Sequence, residues 1–291
     1  MSSNESNPPE PQTDNSNKIN ISLLPNIVTP FIPLMTQIYG DLASPSLKKM
    51  GSALESVLDS FVTMPLEYLG KKRRINIERN FDMYRKKLEN IEDGQIAEVP
   101  PELGVPIVQK LGYISSEEIA DLFTNLLANA SSLKTCSRAH PSFIRIIENL
   151  SVDEAKILNH WSLNLLDKRD DSIAFIQFIG NTAKGEHAEL STPLTGMDKD
   201  KVLNLLYPDI DHLYMDNLIA LGLITVNKEF AIADDKIYTE LKELYSDIRN
   251  DYEETIKTSE DLKPINEITV REGFYRITDY GKAFIEICTK N

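Results

Sequence analysis

Between residues 115 and 165 the chain carries helix-start signals set so closely that only a packed group of short helices satisfies them. Ser115-Ser116-Glu117-Glu118 fits a capping box with Ser115 as the cap, and Ser151-Val152-Asp153-Glu154 fits a second. In such a box the serine accepts from a backbone N–H one turn on, and the glutamate reaches back to the cap's own N–H. Each is followed by apolar residues at helical spacing: Ile119, Leu122, Phe123, Leu126 and Leu127 after the first, and Ile157, Leu158, Trp161 and Leu165 after the second. Pro141 opens a short helix between them, with Phe143, Ile144, Ile147 and Leu150 on one face. Caps and periodicity that agree so locally predict a helical bundle.

The same spacing extends the bundle toward the N-terminus. Ser44-Pro45 starts a helix carrying Leu47, Met50, Leu54, Val57, Leu58, Phe61 and Val62, and a second helix carries Ile77, Phe81, Tyr84, Leu88 and Ile91. Residues 1–18 are polar, rich in Ser, Asn and Pro, and read as a disordered tail without a signal-peptide pattern. Residues 19–40 hold no charge, but Pro25, Pro30 and Pro33 break helix, so they read as an apolar arm, not a membrane span. The helical domain is assigned to residues 41–180.

Beyond it the pattern changes. Ile173 to Ile179 is a short apolar run that periodicity leaves open between strand and helix. Residues 181–196 read as a connector, and 197–291 as an α+β unit. In that unit a helix stops at Gly222, Leu223 to Val226 has strand character, Asp234 to Lys257 is one long charged helix, Ile268 to Thr278 is a strand or hairpin, and Asp279 to Cys288 is a last helix. The order predicts a winged-helix-like unit with a charged helix inserted, so the fold class is mostly α, a helical bundle followed by a winged-helix-like α+β unit.

Charge limits the partners. The chain carries a net −14, of which the last third, residues 191–291, contributes −8 from 12 basic and 20 acidic side chains. That surface repels phosphate backbones and suits a basic partner or self-association. The one concentrated positive feature is Lys71, Lys72, Arg73 and Arg74, continued by Arg79, Arg85, Lys86 and Lys87. It reads as a solvated helix face, or as a surface for anionic lipid, nucleic acid, or the acidic part of this or another chain.

No reactive set stands out. Gly180 and Gly185 have phosphate-loop spacing, but Glu186 and His187 occupy the places of the lysine and hydroxyl that reach phosphate and magnesium. His212 and Asp216 share a helix face near Asp209 and Asp211, short of the four placed ligands a metal needs. Glu154-Ala155-Lys156 and Glu240-Leu241-Lys242 fit part of a nuclease signature, but on helices their side chains point apart. Cys136 and Cys288 are far apart in sequence and fit free thiols in a reducing cytoplasm. Catalytic, metal and cofactor residues are therefore all expected to be none.

Five blocks invite a comparison: Leu126 to Ser131; His140-Pro141-Ser142-Phe143; Leu150 to Leu158, with Ser151 and Glu154; Leu218 to Ile224, with Gly222; and Tyr275 to Phe284, with Thr278 and Gly281. Together they resemble the abortive-infection alpha (Abi-alpha) family, over most of the chain from about Leu42 onward. The resemblance implies a role in bacterial defence against phage, and it implies no catalytic residues. From the residues alone, His140 precedes a proline, which predicts extended backbone, with its ring bonding a nearby carbonyl or a helix end. The first functional expectation is a non-enzymatic interaction protein. The alternatives are a peripheral membrane effector using residues 47–62 and 71–74, and a winged-helix DNA-binding regulator, which the acids of the helix from Asp211 to Leu221 disfavour.

Overall fold

The computed structural model describes residues 66–92, 94–166, 172–197, 201–260 and 262–289. The expected tail, apolar arm and helix over 47–62 lie outside them, as do the side chains of Lys71 to Arg74. The described chain is mostly helical, with a four-stranded antiparallel sheet in its C-terminal half. The helical part comprises α1 (Leu66–Leu88), α2 (Pro101–Leu111), α3 (Glu117–Ala130), α4 (Ser142–Glu148) and α5 (Val152–Leu166). After it come β1 (Ser172–Thr182), β2 (His187–Glu189), α6 (Asp211–Ala220), β3 (Ile224–Asn227), α7 (Asp235–Leu244), α8 (Ser246–Thr258), β4 (Ile265–Ile277) and α9 (Asp279–Cys288).

Helix α3 is the hub, packing against α1, α2, α4, α5 and α9. Nine of its residues are buried, more than one stripe of a surface helix provides. Its cap is Ser116, not Ser115: the Ser116 hydroxyl accepts from the Ile119 N–H at 3.3 Å and donates to Glu118 at 3.0 Å. The second capping box forms as read, with Ser151 N–H on Glu154 at 2.5 Å and Glu154 N–H on the Ser151 hydroxyl at 3.2 Å. Helix α2 was not expected. Pro101 suits a first turn, but Pro106 and Gly104 inside the helix mask its buried stripe of Leu103, Ile107, Val108 and Leu111.

The apolar run at 173–179 is strand β1, the longest partner of β4 in a sheet ordered β2-β1-β4-β3. Phe175 joins the large core with the helices, whereas Ala174, Ile176 and Phe178 join a smaller core with Tyr238 and Leu241 of α7. A strand covered on both faces loses its alternation, which is why periodicity could not separate it from helix. Residue 180, the expected boundary, lies within β1. Residues 181–196 are not a connector: they finish β1, turn back through β2, and pair Leu194 with Ile176 by two hydrogen bonds of 2.8 and 3.1 Å. The long charged helix is two helices, α7 and α8, meeting at Tyr245, and β4 is a single strand rather than a hairpin. Tyr238 fastens α7 to the sheet by donating to the Gly273 carbonyl at 3.0 Å.

Candidate functional site

The polar residues of the five blocks are mostly spent on closing helix ends. His140 Nδ1 accepts the Ser142 backbone N–H at 3.1 Å, at the start of α4. The same nitrogen lies 2.6 Å from the Ser142 hydroxyl, which lies 2.5 Å from the Tyr280 hydroxyl of α9. A nitrogen already accepting a backbone N–H caps a helix. His140 thus satisfies the first N–H of α4, and Ser142 ties α4 to α9. Phe143 packs under this tie against Tyr280 and, edge to face, Phe284, with ring centroids 5.6 and 5.4 Å away.

Helix α9 is held at both ends. Thr278 caps its start, accepting from Gly281 N–H at 2.8 Å and donating to the Gly222 carbonyl at 2.7 Å. At its other end the last carbonyls have no partner within the helix. Asn129 of α3 donates to Ile287 at 2.9 Å, and Asn125 donates to Cys288 at 3.0 Å. Gly222 takes φ +74° just after α6, the left-handed turn that stops a helix.

Asp153 and Glu154 are almost fully buried, at 2% and 3% exposure, and bind the C-terminal half. Asp153 accepts the N–H groups of Leu206 at 2.8 Å and Tyr207 at 3.0 Å, and the Tyr214 phenol at 2.9 Å. Burial opposes its ionisation, but these donors and Lys156 outweigh that and hold its carboxyl below the usual carboxylate range. Glu154 accepts from Asn217 at 2.7 Å, and Asn217 also donates to the Asn149 carbonyl at 2.9 Å.

The basic stretch is divided. Arg79 bonds Asn80 and the Ser115 carbonyl, Arg85 and Lys86 pair with Asp82, and Lys87 pairs with Asp121. Those four serve α1 and its neighbours. Lys71 to Arg74 lie in the first half of α1, and their side chains are outside the described residues. Glu154 with Lys156 and Glu240 with Lys242 sit on helices α5 and α7. Among the described residues no three His, Cys, Asp or Glu side chains gather as a metal site, and no helix is long and apolar enough to cross a membrane.

Two clefts remain. One of about 210 Å³ lies beside Lys87, Asn129 and Lys134, whose lysines pair with Asp121 and Glu92. The other, about 330 Å³, opens between the segment before α6 and the α7–α8 junction. Its walls include Leu194, Met197, Pro208, Leu244 and Ile248, with Asp209, Asp211 and Tyr245 as the polar groups. Asp211 accepts from Thr195 at 2.6 Å, and burial raises its carboxyl above the usual range. Tyr245 accepts the Gly196 N–H at 3.0 Å, and burial pushes its phenol up. Sequence reasoning weighed Asp209 and Asp211 only with His212 and Asp216 as a metal set, and missed the cleft and the apolar rim beside it. The rim's only signal was a crowding of apolar residues from Val202 to Leu213.

The comparisons with known proteins bear on the whole chain. No curated protein matches it. It is similar to the solved structure of an uncharacterized protein from the hydrocarbon-degrading marine bacterium Alcanivorax borkumensis SK2, at 20% identity over 50% of this chain and 90% of that one. The TM-score is 0.30. The sequence model of abortive infection alpha matches residues 72–288, a span that contains all five blocks and the joints they build. The chain belongs to the abortive infection alpha family.

Proposed function

We propose that this protein is a non-enzymatic interaction protein of bacterial phage defence, acting in the cytoplasm through protein contacts. One observation carries the reading. The polar side chains of the blocks shared with the family, His140, Ser142, Asp153 and Glu154, are engaged in capping and joining helices, while large apolar side chains stand exposed beside an acidic cleft. Buried polar groups in full partnership specify a fold, and an exposed apolar patch marks a contact surface. The order α6, β3, α7–α8, β4, α9 supports a winged-helix-like reading of the C-terminal unit. A DNA-reading role is disfavoured by α6, which presents Asp211 and Asp216 and no Lys or Arg.

The test is phage challenge of cells carrying the wild-type gene, no gene, or a Leu206→Ser, Tyr207→Ser variant. Reduced plaque counts with the wild type, lost in the variant, support the reading. Equal protection by the variant at equal protein level, or unchanged plaque counts with the wild type across a broad phage panel, defeats it.

A further inference from the structure

The stretch from Lys201 to Leu213 is unusual in its backbone, its fastening and its exposure. Lys201 and Asn204 have φ +54° and +48°, a region that residues other than glycine rarely occupy. Such conformations persist only where surroundings over-determine them. Here the Asp153 carboxylate holds the N–H groups of Leu206 and Tyr207, Lys156 donates to the Asn204 carbonyl at 2.6 Å, and Leu203 and Leu205 are anchored in the core. The residues between the anchors point outward: Val202, Leu206, Tyr207 and Leu213 are 70%, 61%, 66% and 51% exposed. The apolar side chains are thus displayed on a fastened segment, which reduces the ordering entropy lost on binding.

The adjoining cleft adds charge. Neither Asp209 nor Asp211 has a lysine or arginine within ion-pair distance among the described residues. Its chemistry therefore calls for a cation flanked by apolar groups. The chain's own densest positive sequence has that form, Leu69-Gly70-Lys71-Lys72-Arg73-Arg74-Ile75, and Ile75 is 55% exposed on α1.

We propose that the rim and cleft of one molecule dock the basic opening of α1 from a second copy of this chain. The two surfaces differ, so the contact is heterologous: each molecule has one of each to offer, and the contact repeats head to tail into a ring or an open filament. Opposite charge steers the encounter, and the apolar rim supplies the buried area. This inference rests on the reading of the protein as one that works through protein contacts.

Sedimentation velocity on the full chain tests it, with two variants. The cleft variant is Asp209→Lys with Leu213→Ser, both exposed positions. The run variant changes Lys71, Lys72, Arg73 and Arg74 to Ser. Wild type is expected to associate with rising concentration, and to do so about tenfold or more weakly when salt rises from about 0.05 to about 0.5 M. Each variant alone is expected to be monomeric with an unchanged circular dichroism spectrum. An equimolar mixture is expected to give a one-to-one dimer that grows no further, since only one productive contact is left. A wild type that stays monomeric at about 100 µM overturns the proposal, whether or not α1 folds onto its own cleft. So does association that survives the cleft variant, or a mixture that stays monomeric. The salt series on wild type needs no variant to fold. Head-to-tail assembly without protection from phage would strike the functional reading alone, and protection by a strictly monomeric protein would strike this inference alone.

Discussion

Tyr214 of α6 donates its phenolic hydrogen to the buried Asp153 carboxylate of α5 at 2.9 Å, and that bond joins the two halves of the molecule. The same carboxylate accepts two backbone N–H groups from the segment leading into α6. Removing it takes the side-chain acceptor from the Leu206 and Tyr207 N–H groups and leaves Tyr214 only the Tyr207 carbonyl, at 3.2 Å. Asp153→Ala is therefore expected to destabilise the fold by about 3 kcal/mol, and Tyr214→Phe by about 1 kcal/mol. Urea unfolding of the three proteins gives the comparison, and equal midpoints for wild type and Asp153→Ala would contradict the assignment.

Asp153 also sets a pH dependence. Burial opposes its charge, yet its hydrogen-bond donors and Lys156 keep the folded-state pKa below that of an unfolded aspartate, about 3.9. A group depressed in this way contributes stability that is complete above the unfolded value and lost as pH falls through the folded one. Asp211 works the other way. Burial raises its folded pKa, so its ionised form costs stability at neutral pH, and protonation relieves that cost as pH falls through the raised value. Melting temperature measured against pH should show Asp153→Asn flattening the acid limb and Asp211→Asn raising stability near neutrality. A variant curve parallel to wild type throughout would refute the corresponding half.

Helix α9 offers a test of the asparagines on α3. Asn125 and Asn129 each donate to a carbonyl at its C-terminal end, and Asn125 also bonds Asp121 at 3.1 Å. Asn129→Ala should cost about 1–2 kcal/mol and increase amide exchange in the last turn of α9 before the rest of the chain. Exchange that rises uniformly would mean that the asparagine supports α3 instead.

These ties also show what a sequence displays and what it conceals. The box at Ser151 and Glu154 is local, so its geometry follows from four adjacent residues, and the stop at Gly222 is as local. The first box slipped by one residue because Ser115 and Ser116 are both competent caps and tertiary packing chose between them. Strand β1 was ambiguous because its two covered faces erase the alternation. Helix α2 was hidden because Pro106 argues against a helix that packing nonetheless imposes. The break at Tyr245 serves a distant need, since its hydroxyl receives the Gly196 N–H across the cleft. The cleft itself brings Leu194, Asp209, Asp211 and Leu244 together from separate elements, and nothing in their local spacing announces that meeting.

His140 tests whether the His-Pro-Ser-Phe block is structural. His140→Ala removes a helix cap and the link through Ser142 to Tyr280, and should cost about 1 kcal/mol. His140→Asn offers another side-chain acceptor at the same cap and should recover most of it. A phage-protection defect in His140→Asn, at wild-type stability, would reassign this histidine from cap to function.

Two glycines near the same corner should fail for different reasons. At Gly281 an added Cβ would stand 2.0 Å from the Leu223 carbonyl oxygen, a backbone atom that α9 needs close by for the Thr278 cap. Neither partner can rotate away, so Gly281→Ala forces α9 off the sheet and should cost about 3 kcal/mol or more. At Gly222 the nearest atom to an added Cβ is Tyr280 at 4.0 Å, so there is room, and the cost is that of holding φ +74° without glycine. Gly222→Ala should then cost only about 1 kcal/mol. Thermal unfolding of the pair separates steric from conformational cost. If Gly222→Ala proves the more damaging, the close approach of α9 to Leu223 does not govern this corner.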